Sequence, residues 1–88
     1  MEIDTLIHMA NRIGAFFEAQ PDRDEGLDGV AEHLRRYWEP RMRRSLLAHI
    51  DSGPVPAPGA EALSPFVREA IARHRVGLTP DSHPAAAT

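Results

Sequence analysis

Ten consecutive residues, Arg35-Arg36-Tyr37-Trp38-Glu39-Pro40-Arg41-Met42-Arg43-Arg44, concentrate the chemistry of this 88-residue chain. They hold five of its ten Arg, its only Trp and its only Tyr. Trp, Tyr and Arg are the residue types most enriched at protein–protein hot spots, so the stretch reads as an aromatic anchor with a cationic rim. A solvated Arg face around a core Trp is the plainer alternative. Nucleic-acid binding is a third reading, with Arg35, Arg36, Arg41, Arg43 and Arg44 on phosphates and Trp38 stacked on a base. The overall charge argues against it. The chain is acidic, with a pI near 5.9, and nucleic-acid domains are basic as a whole. Glu39-Pro40 also leaves no room for the turn of a helix-turn-helix.

Catalytic chemistry is hard to assemble from the remaining residues. Ser45, Ser52, Ser64 and Ser82 lack a local nucleophile signature. The glycines form neither G-x-G-x-x-G nor G-x-x-x-x-G-K-[ST], so no phosphate cradle is expected. His8, His33, His49, His74 and His83 never fall at a His-x-x-x-His spacing. Each is expected to be a half-buried or surface residue. Paired carboxylates, Glu2/Asp4 and Asp24/Glu25, sit where helix starts explain them. No Cys is present, which excludes a disulfide staple and a thiolate metal site. The chain is expected to carry no catalytic residue, metal or cofactor of its own.

The elements that position these residues are helices. Ile3, Leu6, Ile7, Ala10, Ile13, Gly14 and Phe17 recur at three- and four-residue spacing and predict a helix over 3–19. Met9 and Phe16 widen its stripe, so it must be covered on two sides. Gly14 in mid-helix costs about 1 kcal/mol relative to Ala; a close helix crossing would explain it. Asp4 either caps this helix or favours its positive end. Asp22 or Asp24 caps a second helix, with Leu27, Val30, Ala31, Leu34 and Trp38 on one face and Tyr37 at its edge. Gly26 and Gly29 weaken its first turns. Glu32 and Arg36 are four apart in the favourable order, a pair contributing about 0.2–0.5 kcal/mol.

Pro disfavours helix at the residue before it and suits the first helical turn itself, so Glu39-Pro40 predicts a corner with almost no loop. A third helix runs from about Pro40 to Asp51. Met42, Leu46, His49 and Ile50 share a face, with Ser45 at its edge, Arg43 beside Leu47 on a flank and Arg41, Arg44 and Ala48 opposite. Arg near a helix N-terminus is unfavourable for the dipole, so these Arg have another reason to be there or are tolerated. Ser52-Gly53-Pro54 ends the helix. Residues 53–63 form a Pro/Ala linker. Ser64-Pro65 opens a last helix with Phe66, Val67, Ala70, Ile71 and His74 inward and Gly77 as terminator. Residues 78–88 are expected to be a disordered tail.

The class that follows is all-α: a small three-helix bundle over 1–52 and a fourth short helix over 64–77. A chain this size buries only roughly 60–65% of its unfolded surface, so a partner-stabilised fold is plausible. Residues 1–34 hold eight acids and two Arg, whereas 35–50 hold five Arg and one acid. An acidic half beside a basic middle suits a shaped, charge-complementary partner. No apolar run approaches a membrane span, no signal peptide is apparent, and a cytoplasmic location is the default.

Two blocks carry a family resemblance. Met9-Ala10-Asn11-Arg12-Ile13-Gly14-Ala15-Phe16-Phe17, followed by His33-Leu34-Arg35-Arg36-Tyr37-Trp38-Glu39-Pro40-Arg41-Met42-Arg43, resembles the delta subunit family of soluble NAD-dependent formate dehydrogenases. Tyr37 stands where a Phe is common in that family. The resemblance covers about residues 1–75; the linker and tail carry no pattern. It implies a small accessory subunit docked on the large catalytic subunit and supporting assembly or stability. The cofactors of such a complex (a molybdenum or tungsten pterin, iron–sulfur clusters, FMN and NAD) would reside in other subunits. A transient maturation factor for the large subunit is the nearest alternative, and an Arg/Trp nucleic-acid or regulatory module the more distant one. Met9, Asn11, Arg12, Phe16, Tyr37, Trp38, Pro40, Arg41, Arg43 and Arg44 are the expected contact residues. Both blocks carry more apolar and Arg content than so small a core needs.

Overall fold

A computed structural model describes residues 2–53 and 58–80. It contains five helices and, among the described residues, no strand. These are α1 (Ile3–Glu18), α2 (Arg23–Tyr37), α3 (Pro40–Ser52), α4 (Pro65–Arg73) and α5 (Arg75–Leu78). The all-α class therefore holds. Residues 54–57 of the expected linker and 81–88 of the expected tail, including Ser82 and His83, lie outside the described residues.

Helix ends follow local chemistry. The Asp22 side chain accepts a hydrogen bond from the Glu25 N–H at 3.2 Å, satisfying a donor that the first turn of α2 leaves open. Glu39 is extended (φ −63°, ψ 151°) and Pro40 opens α3, so two long helices meet across Trp38 and Glu39. Gly53 closes α3 in the left-handed conformation (φ 60°), where a side chain would be strained. The Ser64 hydroxyl accepts from the Val67 N–H at 3.2 Å, with Pro65 at the first helical position. At α1 the cap residue is Glu2, without a side-chain cap bond, and Asp4 acts only as an acid in the first turn.

One core collects Leu6, Ile7 and Ala10 from α1, Leu27, Val30, Ala31 and Leu34 from α2, Leu46 and Leu47 from α3, and Phe66, Val67, Ala70 and Ile71 from α4. The bundle of α1 to α3 is completed by α4, which packs against both α1 and α2. Gly14 permits this crossing: a Cβ there would overlap the Val67 Cγ2 methyl. Arg23 adds to the α2–α4 contact, with its guanidinium over the Phe66 ring and an ion pair to Glu69 at 2.9 Å.

Two expectations need correction. The shared face of α3 contributes buried Leu46, with Met42 and Ile50 packed against the core, but burial extends to the flank residue Leu47, which lies near Trp38, Ile71 and Leu78. Gly77 does not end the last helix. α4 stops at His74 (φ −115°, ψ 25°), and Gly77 lies within the single turn α5. That turn is held in place by burial of Leu78, 2% exposed, and by a two-bonded Arg75–Asp51 ion pair at 2.9 and 2.7 Å.

Candidate functional site

The most distinctive surface lies in the groove between α1 and α2. Its foundation is a pair of glycines. The Phe17 ring rests on Gly29, where a Cβ would overlap it, and a Cβ on Gly26 would come within 2.5 Å of the Phe17 carbonyl oxygen. The last turn of α1 thus sits directly on the α2 backbone. From Phe17 a row of rings extends both ways. Phe16 meets it edge-on, with centroids 5.0 Å apart and planes at 88°. His33 lies 6.3 Å from Phe17, and Tyr37 4.8 Å from His33. The two ends of the row are bare: Phe16 is 64% and Tyr37 67% exposed. Beside the row is an open cleft of about 270 Å³ lined by Arg12, Ile13, Phe16, Phe17 and His33. Such a surface can hold apolar and aromatic groups and donate hydrogen bonds to an anion from Arg12 and His33.

The structure divides the expected contact residues. Arg12, Phe16 and Tyr37 share the groove face. Met9 is half-buried against the core. Trp38 is only 5% exposed and is itself a core residue, so it presents no anchor on the surface of this chain. Asn11 is engaged internally. Its Nδ2 donates to Glu61 Oε2 at 2.7 Å and to the Ala62 carbonyl at 2.8 Å, and its Oδ1 accepts from the Ser64 N–H at 2.8 Å. His8 Nδ1 bonds the other Glu61 oxygen at 2.8 Å. The Asn11 amide, followed by His8, holds the Glu61 carboxyl below its ordinary range.

The Arg-rich corner is less open than its composition implies. Arg35 and Arg36 both pair with Glu32, at 2.9 and 2.7 Å, the second being the expected i,i+4 pair. Arg43 is half-buried, and its Nε is buried with no hydrogen-bond partner among the described residues. Pro40, Arg41 and Arg44 are exposed on α3. Arg44 borders a separate cleft of about 290 Å³ near Asp51 and Arg75. Asp51 is held low by its hydrogen bond from Arg75, and Arg75 is raised by the same contact. A third cleft, of about 500 Å³, lies between α2 and α5, with Asp28 and His74 bonded at 2.7 Å on its wall. Among the described residues no three His, Asp or Glu side chains are grouped to hold a metal ion.

Sequence reasoning missed Ile13, Phe17 and His33 as parts of a surface site. A signal existed. Gly26, Gly29, His33 and Tyr37 fall at spacings of three and four on α2, which is one helical stripe. Two residues without side chains followed by two rings describe a shelf for a facing aromatic.

These features define a small all-α chain with one exposed aromatic groove. No described helix is long and apolar enough to cross a membrane. The family described as NADH-dependent formate dehydrogenase delta subunit, FdsD, matches residues 5–71, covering α2 and α3 and most of α1 and α4. The chain belongs to the FdsD family, and so to the subunits of a multi-subunit, NAD-dependent formate dehydrogenase. No protein of curated function and no solved structure matches it.

Proposed function

We propose that this chain is a non-catalytic subunit that docks on the large molybdopterin-bearing subunit of a cytoplasmic formate dehydrogenase. Docking supports assembly or stability of the active complex, and the redox cofactors reside in the other subunits. Family membership supplies the complex. The observation that carries the docking role is the aromatic groove: the core is complete without Phe16 and Tyr37, yet both rings stand bare. Large exposed rings on a small chain mark an interaction surface. The interface then draws on Arg12, Phe16 and Tyr37 in the groove, with Pro40, Arg41 and Arg44 on α3 as a second exposed flank.

The test is co-purification. The tagged chain is expressed with and without the large subunit, and the eluate is assayed for formate-dependent NAD reduction. Recovery at one copy per large subunit, with activity, is the expected result. Recovery only with cofactor-free large subunit would replace the permanent subunit by a transient maturation factor. No recovery would sink docking altogether.

A further inference from the structure

Resting on that docking reading, we infer that the α1–α2 groove receives an apolar–acidic segment of the large catalytic subunit. A bulky apolar side chain of that segment enters the cleft among Ile13, Phe16 and Phe17, and a neighbouring carboxylate meets Arg12 and His33.

The cleft lining carries the chemistry. Its charged or ionisable members are Arg12 and His33 alone, and no carboxylate faces it. This is not for lack of acids, since residues 1–34 hold eight. Three of the four acids of α2 are engaged elsewhere. Asp24 bonds Arg73 at 2.9 Å, Asp28 bonds His74 at 2.7 Å, and Glu32 pairs with Arg35 and Arg36. Arg12, by contrast, forms no ion pair among the described residues. Its planar guanidinium suits a carboxylate held by two parallel bonds. The groove is therefore apolar with a polar edge that carries the Arg12 cation and no carboxylate, inside an otherwise acidic half of the chain. An acidic segment is steered to that edge and repelled from the rest of the hairpin.

The middle of the groove is closely packed. Phe17 is seated on Gly29, and the ring row spans both helices. Side chains held by packing have less conformational freedom to lose on binding. The row extends past the cleft to Tyr37, which suits a segment of chain rather than a small molecule.

The test immobilises the large subunit and follows binding of the full 88-residue chain. Phe16→Ala and Arg12→Glu are each expected to weaken binding by about tenfold or more. Arg12→Glu is also expected to flatten the salt dependence of association. Val76→Ser, which alters a bare apolar residue on α5, should change nothing. Phe16 and Arg12 are exposed, and circular dichroism of each variant checks that it is folded. Wild-type binding that neither groove substitution weakens overturns the groove assignment and leaves docking intact. Loss with Phe16→Ala but not with Arg12→Glu overturns the acidic half of the inference. Failure of the wild-type chain to bind overturns docking and the groove together.

Discussion

The α1–α2 groove and the α2–α3 corner are built from the same residue types and differ in what their side chains meet. At the corner, the aromatic points inward: Trp38 is buried, and two of the Arg are committed to Glu32. In the groove the aromatics are bare at both ends, and Arg12 has no ion pair among the described residues. Geometry explains the contrast. At the corner α2 ends and α3 begins almost without a loop, and Trp38 is buried in the core beside Leu34, Leu46 and Ile71. In the groove two antiparallel helices lie side by side, and residues along its rim have nothing above them. Enrichment in hot-spot residue types identifies both places; only packing separates the structural one from the one available to a partner.

The sharpest break of that comparison exchanges the two aromatics for Ala. Trp38→Ala removes a core side chain and is expected to cost about 3–5 kcal/mol of folding stability, enough to unfold much of a domain this small. Phe16→Ala is expected to leave stability within about 0.5 kcal/mol, as exposed positions do, while weakening docking. Urea denaturation of both variants reads the difference. A stable Trp38→Ala that no longer binds the large subunit would restore the corner as the docking site.

Most of the fold is legible in the sequence because it is written in short-range rules. The Asp22 and Ser64 caps, the Glu39-Pro40 corner, the Gly53 terminator and the Leu27–Leu34 stripe are all local. Gly14 was legible as a crossing point, though not which helix crosses there. What sequence could not supply is long-range partnership. Asn11 reads as a surface polar residue until Ser64 arrives from 53 positions away. Leu78 reads as tail until Arg75 and Asp51 fold the last turn back onto α3. The groove failed to appear for the same reason: its rings come from two helices, and the shelf beneath them is a pair of glycines that read as weak points of α2.

That shelf gives the next prediction. Gly29→Val forces a side chain into the Phe17 ring and should cost about 1–3 kcal/mol by overpacking. Because Phe17 carries the ring row, docking should weaken beyond what the lost stability explains. Binding measured well below the melting temperature separates the two effects. Asn11→Ala should cost somewhat less, about 1–2 kcal/mol, by leaving the Ser64 N–H and the Ala62 carbonyl without their partner. Amide exchange at Ser64 should accelerate, while binding by the groove is retained. A variant that binds poorly though still melting near wild type would return Asn11 to the interface.

The smallest effect concerns acid stability and falls on two carboxylates that do not line the groove cleft. Glu61 is held low first by Asn11 and then by His8, and Asp51 by Arg75. Both folded-state values lie below the unfolded ones. Their contribution is therefore complete above the ordinary carboxylate range and is lost as pH falls through the folded values. Stability should decline on acidification below about pH 4. Both carboxylates are exposed to solvent, so the decline should be shallow and weaken further in salt. Asp51→Asn should flatten part of the slope and loosen α5 around Leu78, while Asp28→Asn, near His74, leaves the Asp51 part unchanged. Thermal melts of the three proteins between pH 3 and 7 read this directly. An acid slope that persists unaltered in Asp51→Asn would show that the Arg75 pair does not hold the last turn.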